Sequence, residues 1–354
     1  MDFDYKSRVK KVFETVSESD GFLITNIKNI RYITGFTGSF AVAVITEKDC
    51  YLLVDFRYLQ QAKMQTRAEI VYFKNSWIER LKDLLSELKI KKLSFETSCS
   101  FEIYQKLKET LDIELIPQNY KIEKLRAIKE DKEIENIKQA IKKAETAFLN
   151  IKHLIKEGVT EKAIAKALEE EMKNFGSETL PFSVIVASGK NSSMPHWRSS
   201  DKTLNSGDFV IIDWGAEHNG YFSDMTRTFI IGNATEKQIE IYSIVNKARV
   251  SAIEHCKAGA IAKEIDAIAR DLIKNSDYGE KFGHGLGHGV GLDVHELPKI
   301  NHYSEEIITE GMVFTIEPGI YIEEFGGVRI EDMVLINKGA AVVLTTLPRD
   351  LEIL

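Results

Sequence analysis

Along the first third of the chain, short apolar runs alternate with amphipathic stretches. Residues 21–25, 40–45, 51–54, 70–73 and 92–95 carry the apolar pattern of strands, and 58–65, 77–88 and 101–111 carry the helical period. This alternation predicts an α/β layer with a mostly covered sheet. Residues 121–128 read as a charged connector. From about 133 to 156, Ile134, Ile137, Ile141, Ala144, Phe148 and Ile151 recur at helical spacing and predict one long helix ended by Gly158. Thr160 is placed to cap a second helix reaching about residue 175. The unit returns later, where 236–256 and 262–274 read as helices with Gly259 between them. Gly158 and Gly259 lie 101 residues apart, and aligning them sets Ile164 on Ile265 and Leu168 on Ala269. The pattern predicts a duplicated helix–helix–sheet half, internal pseudo-symmetry and a cleft between the halves.

Composition narrows the class. With 354 residues, 44% hydrophobic and 29% charged, the chain is long enough for two domains and too apolar for disorder. No apolar run approaches the length that crosses a bilayer, and the start at Met1, Asp2, Phe3, Asp4, Tyr5 and Lys6 lacks the form of a signal peptide. Net charge is -7 with no long basic cluster, which argues against a nucleic-acid partner. Cys50, Cys99 and Cys256 are far apart and odd in number, and read as buried reduced thiols of a cytosolic protein. All eight histidines and 19 of 22 glycines follow residue 150, so the candidate chemistry sits in the later part of the chain.

Four motifs carry that chemistry. In 209–227 two β-like runs flank a polar turn containing Asn219-Gly220. A hairpin centred between His218 and Asn219 sets Asp213 directly opposite Asp224, with Cβ atoms about 4.5–5.5 Å apart. Such carboxylates repel unless something positive lies between them, and two ions about 3.5–4 Å apart fit that gap. An edge hairpin with exposed acids is the alternative for this motif alone. In 282–296, His284, His288 and His295 fall within twelve residues of a glycine ladder. Glycine admits close backbone approach, and neutral imidazole is the commonest metal ligand. No lysine or helical run follows, so a phosphate loop fits poorly. Glu317 interrupts an apolar strand, where a carboxylate is costly unless paired, protonated or metal-bound. Pro318-Gly319 beside it predicts a bulge that re-aims its side chain. After a glycine turn, Arg329 and Glu331 share one strand face, and a hairpin centred on Glu324 pairs Glu317 with Glu331. Four carboxylates with histidine neutralise two divalent ions, and an oxygen-rich set favours manganese, cobalt or iron over structural zinc.

This combination resembles the metallopeptidase family of aminopeptidase P and prolidase, which shares the pita-bread fold with methionine aminopeptidase. Asp213, Asp224 eleven later, His288, Glu317 twenty-nine later and Glu331 follow the family's order, and 284–296 fits its proline-peptidase signature without mismatch. Residues 31–39 and 55–58 are similar to the accessory domain of short bacterial members. The resemblance implies an α/β accessory domain over 1–122 and an α+β pita-bread catalytic domain with pseudo-two-fold symmetry over 123–354. It implies five ligands for two divalent ions, most simply Mn2+, with Co2+, Fe2+ or Zn2+ as alternatives. Asp224 and Glu331 would bridge both ions, Asp213 would hold one, and His288 with Glu317 the other. Glu317 would also carry the proton of the nucleophilic water, which attacks as a metal-bridging hydroxide, to the leaving amine. His295 and His196 would be catalytic histidines on the substrate side. His284, Arg329, Tyr321 and Phe182 would line the proline pocket, with Arg329 orienting Glu331 or meeting a substrate carboxylate. Tyr321 and Phe182 also read as plain core residues. His153, His218, His255 and His302 match no family position and read as surface residues, and Trp214 reads as packing.

The implied activity is that of an Xaa-Pro aminopeptidase, taking peptides with proline second. The alternative is prolidase, an Xaa-Pro dipeptidase with identical chemistry, and residues 35–39 tilt the reading to the aminopeptidase. Methionine aminopeptidases usually lack the N-terminal domain, creatinase works without metal, and non-enzymatic relatives lose ligands that are complete here. The resemblance also implies a cytoplasmic homodimer without membrane contact.

Overall fold

A computed structural model describes residues 3–16 and 18–354; Met1 and Asp2, the start of the segment read for a leader, lie outside the described residues. The chain divides into two compact units, Met1–Arg126 and Ala127–Leu354.

Among the described residues the first unit holds a six-stranded mixed sheet, ordered β4-β3-β2-β1-β5-β6. Its strands are β1 (Gly21–Ile24), β2 (Val42–Ile45), β3 (Cys50–Val54), β4 (Glu69–Tyr72), β5 (Lys92–Glu96) and β6 (Glu114–Gln118). Its helices are α1 (Tyr5–Glu14), α2 (Ile27–Thr34), α3 (Leu59–Gln65), α4 (Trp77–Glu87) and α5 (Phe101–Thr110), and α6 (Lys121–Ala127) follows. Leu23, Val44, Leu53, Leu81 and Leu93 form its core at full burial, each stabilising by about 1.5–3 kcal/mol. The apolar pattern misses α1, α2 and β6. The short helix α2 buries five of its eight residues, among them polar Asn29 and Thr34, so its burial does not follow an apolar pattern. β6 is a half-buried edge strand that tolerates Pro117 because its free side needs no donor. The cysteines depart from expectation too, since only Cys256 is fully buried while Cys50 and Cys99 are partly exposed.

The second unit is built twice over. Helices α7 (Asp131–Ile151) and α8 (Glu161–Asn174) recur as α9 (Glu236–His255) and α10 (Ala262–Ile273). Thr160 caps α8 through Ala163 N, as its position foretold. Behind each second helix the same ladder forms. Gly158, Leu204, Glu161 and Lys162 donate to Leu204, Val159, Lys202 and Ser200 carbonyls, while Gly259, Ile308, Ala262 and Lys263 donate to those of Ile308, Ala260, Glu306 and Ser304. The duplication read from two glycines is therefore real at the level of individual hydrogen bonds.

Strands β7 (Ile185–Ser188), β8 (Phe209–Trp214), β11 (Met225–Ile230) and β19 (Glu352–Ile353) make a four-stranded sheet, with the ribbon β9 (Glu217–His218) and β10 (Tyr221–Phe222) extending its hairpin. Strands β12 (Gly287–Gly289), β13 (Glu296–Ile300), β14 (Val313–Ile316), β17 (Asp332–Asn337) and β18 (Ala340–Val343) make a five-stranded sheet, and β15 (Gly319–Ile322) pairs with β16 (Gly326–Arg329). Val245 and Ala248 of α9 and Ile265 of α10 pack on Phe209, Phe314, Ile330 and Val334 in one core. Trp214 is packing as read: it stacks on Phe148 at 4.7 Å and donates to the Ala144 carbonyl.

Candidate metal centre

The first carboxylate pair comes from the β8–β11 hairpin, in a register other than the expected one. Asp213 faces Thr226, Trp214 faces Met225, and the ribbon continues with His218 facing Tyr221. The turn centre thus lies between Asn219 and Gly220, at φ 49° and 78°. Both central positions of this turn need positive φ, and Asn-Gly satisfies both. Asp224 is consequently not opposite Asp213. It lies one step along, between β10 and β11, where a side chain on Gly215 would strike the Ser223 carbonyl at 2.0 Å.

The second pair follows the foreseen register. Gly319 faces Arg329 in one ribbon and Ile316 faces Asp332 in the next, which sets 317 against 331. No extra residue enters either strand, so the expected bulge at Pro318-Gly319 is absent from this ladder. Instead the strands part: Glu317 N donates to the Leu286 carbonyl and Glu331 N to the Thr226 carbonyl. The register shift lies at β12–β13, between His288 and Gly289. The glycines there are needed for contact, because Cβ atoms on Gly287 and Gly289 would meet the Thr315 and Leu297 carbonyl oxygens at 1.9 and 2.0 Å.

These segments converge. Ligand atoms of Asp224, His288 and Glu331 lie within 4.8 Å of one another. His288 Nε2 is 3.6 Å from Asp224 Oδ2 and 3.4 Å from Glu317 Oε1. Its Nδ1 lies 3.2 Å from the Gly289 carbonyl, which can only accept, so Nε2 presents a lone pair to the two carboxylates. Burial and neighbouring His295 hold His288 neutral, with its pKa down at about 3. Burial, then repulsion from Glu331, raises the carboxyls of Asp224 and Glu317 well above the usual range. Burial, then Asp213, pushes Glu331 up to about 8. Asp213 Oδ2 accepts from Arg329 at 2.7 Å, while its buried Oδ1 has no hydrogen-bond partner. Four carboxylates and an imidazole lone pair thus face one another with too few donors. Bound cations would satisfy that deficit, and hard divalent ions match the oxygen-rich donor set.

The outer residues separate into two groups. His295 stacks obliquely on His288 at 4.2 Å between ring centres and is exposed at its edge. Adjacent Glu296 is held by Lys129 at 2.8 Å. His196 is exposed in the loop after β7 and acts electrostatically on both His295 and His284. Arg329, Tyr321 and His284 form an internal chain. Arg329 Nη1 donates to Tyr321 Oη at 2.9 Å, and Tyr321 Oη lies 2.9 Å from His284 Nε2. Arg329 is buried, with its other donors on Thr226, Asp213 and Pro195. It therefore has no free fork for a substrate carboxylate, and it orients Asp213 directly rather than Glu331. Phe182 is half-buried ahead of β7, where neighbouring Pro181 packs toward Gly215. His153, His255 and His302 are exposed, but His218 is half-buried, and burial with Lys143 lowers its pKa. Sequence reading missed Thr226, which donates to Glu331 Oε2 at 2.7 Å and accepts from Arg329. The expected register set Asp224 opposite Asp213, so nothing singled out Thr226, which holds that place in the structure.

Comparison with known proteins fits this site. Residues 135–338 match metallopeptidase family M24, and residues 8–128 match the Creatinase/Prolidase N-terminal domain. An Xaa-Pro dipeptidase of Pyrococcus horikoshii is 40% identical over 351 residues, 97% of this chain and 98% of that protein. The solved structure of an Xaa-Pro dipeptidase from Bacillus anthracis superposes with a TM-score of 0.96 at 40% identity, covering 99% of this chain and 100% of that one. An X-Pro aminopeptidase structure from Thermotoga maritima gives 0.89, also at 40% identity, covering 96% and 99%. The likeness extends over both units, with a pita-bread domain in the second, and the chain belongs to metallopeptidase family M24.

Proposed function

We propose that the chain hydrolyses the peptide bond between an N-terminal residue and a following proline, with Xaa-Pro dipeptides as its preferred substrates. The observation that carries the reading is the largely buried convergence of Asp213, Asp224, Glu317, Glu331 and His288, four carboxylates and an imidazole lone pair with few donors among them. The tilt toward an aminopeptidase drawn from residues 35–39 yields to full-length relatives named Xaa-Pro dipeptidase. The aminopeptidase stays as the second reading, favoured by the Thermotoga structure at the same 40% identity.

In this reading Asp213, Asp224, His288, Glu317 and Glu331 would hold two divalent ions, with Mn2+ the first choice. When bound, such ions polarise a carbonyl and bring the pKa of water toward neutrality. Glu317 receives the proton of the attacking water and delivers it to the departing proline nitrogen, a role suited to a buried carboxyl of raised proton affinity. His295, whose pKa is lowered first by partial burial, donates to the oxygen that gains charge, with His196 as a second donor. Tyr321, Arg329 and His284 fix the wall on the proline side through their mutual hydrogen bonds.

The Mn2+-loaded protein is expected to hydrolyse an Xaa-Pro dipeptide faster than the matching Xaa-Pro-Yaa tripeptide. A tripeptide preference would move the assignment to the aminopeptidase. Failure to cleave either would overturn the reading.

A further inference from the structure

The carboxylate of Glu161 is fully buried and lies outside the metal centre. Oε1 accepts from Ser188 N at 2.7 Å, Ser188 Oγ at 2.8 Å and Asn191 Nδ2 at 3.0 Å. Oε2 accepts from Trp197 Nε1 at 2.9 Å, Ser200 N at 3.0 Å and Ser200 Oγ at 2.7 Å. Lys202 reaches this group only through the Ser188 hydroxyl. Burial alone raises a carboxyl's pKa, yet these donors hold Glu161 below its ordinary value.

Helix formation does not explain this investment. The N-terminus of α8 is already capped by Thr160, and an apolar side chain would avoid the desolvation of a buried carboxylate. What the six donors share is location: they come from the end of β7, the turn after it, and the loop 194–200. That loop carries His196. On one side of His196, the Pro195 carbonyl accepts from Arg329 at 3.4 Å. On the other, Trp197 is tied to Glu161, and its ring packs on Ala187, Ile211 and Tyr321. The turn is also bound to the strand of Arg329, since Gly327 N donates to Ser192 Oγ at 2.8 Å.

The second half of the unit does the same job differently. Asp266 of α10 accepts from Leu286 N at 3.1 Å, and its partner Arg270 donates to the Phe282 and His284 carbonyls. Each second helix thus pins the loop that bears a substrate-side histidine.

We infer that Glu161 is a positioning residue for His196, holding the 188–200 loop through Trp197 and Ser200 so that the imidazole meets the scissile group. The inference rests on the functional reading above. Glu161→Gln tests it sharply, because an amide nitrogen cannot accept where three donors converge. This substitution is expected to lower kcat/KM by about 10²-fold, the scale of an ångström misplacement, with metal content unchanged. In a His196→Ala background the same substitution should add far less. If the two losses instead multiply to within about twofold, the sites act independently and the inference fails. Trp197→Phe keeps the ring and removes one donor, so it serves if Glu161→Gln does not fold. It should cost about tenfold in the parent and little in the His196→Ala background, and equal losses in both backgrounds would overturn the inference. Labelled indole signals of Trp77, Trp197 and Trp214 give a readout independent of turnover. Glu161→Gln should move the Trp197 signal alone, and an unmoved signal contradicts the anchoring. A parent protein inactive on every Xaa-Pro substrate, with the Trp197 shift intact, would overturn the functional reading and leave the anchoring itself supported.

Discussion

Glu331 and Asp332 are consecutive, both buried, and opposite in behaviour. Asp332 points behind β17 into a cluster where Arg227, Arg249 and Arg349 reach it at 2.9, 2.6 and 3.1 Å and Thr345 at 2.7 Å. Burial raises its pKa, and the three guanidinium groups more than offset that. Glu331 points the other way, into the cleft, with one hydroxyl donor and three other carboxylates around it, and it rises to about 8. Desolvation raises both carboxyls, and the donors make the difference. The arginine cluster is a finished structure. The cleft is finished only by what binds there.

That contrast makes distinct demands on variants. Glu317→Ala removes a cleft carboxylate that doubles as the proton carrier. It should cut turnover by about 10³-fold or more and lose one ion, as read by steady-state kinetics and metal analysis; near-normal activity would contradict the double role. Asp332→Asn breaks the finished side. It should destabilise by about 3–5 kcal/mol, because the buried guanidinium groups of Arg227 and Arg249 lose their anion, and urea unfolding measures this. A negligible loss would mean that the cluster is not self-sufficient.

The smaller effect is a pH trend in the metal-free protein. Between pH 4.5 and 8 the folded chain keeps a proton on Glu331 that the unfolded chain has released, so raising the pH through this window removes stability. His288 and His284, lowered to about 3 and 4, act oppositely but only below pH 6.5. From pH 6.5 to 8 the chelated protein should therefore lose melting temperature, and the metal-loaded protein should lose less. A chelated protein that gains stability over this range would contradict the assigned repulsion.

The legibility of the sequence follows from the range of each interaction. Helix periods and the repeated glycine reveal the doubled catalytic unit because they are local signals. The Glu317–Glu331 register was legible from its short hairpin, whereas the β8–β11 register was missed because the turn was centred one position early, before Asn219-Gly220. Thr226, Asp332 and Glu161 stayed hidden for another reason. Their partners stand from 13 to 105 residues away, and no period connects them. Glu161 in particular looks like an ordinary acid in the first turn of a helix. The commitment of four of the five Arg329 donors was equally invisible, which is why a substrate role had seemed open to it.

The most direct test of the account is the metal stoichiometry of the purified protein, measured by mass spectrometry across a Mn2+ titration alongside Xaa-Pro hydrolysis. The account predicts about two ions per chain at saturation, with turnover rising as they bind and vanishing on chelation. Full activity in protein stripped of metal would contradict it.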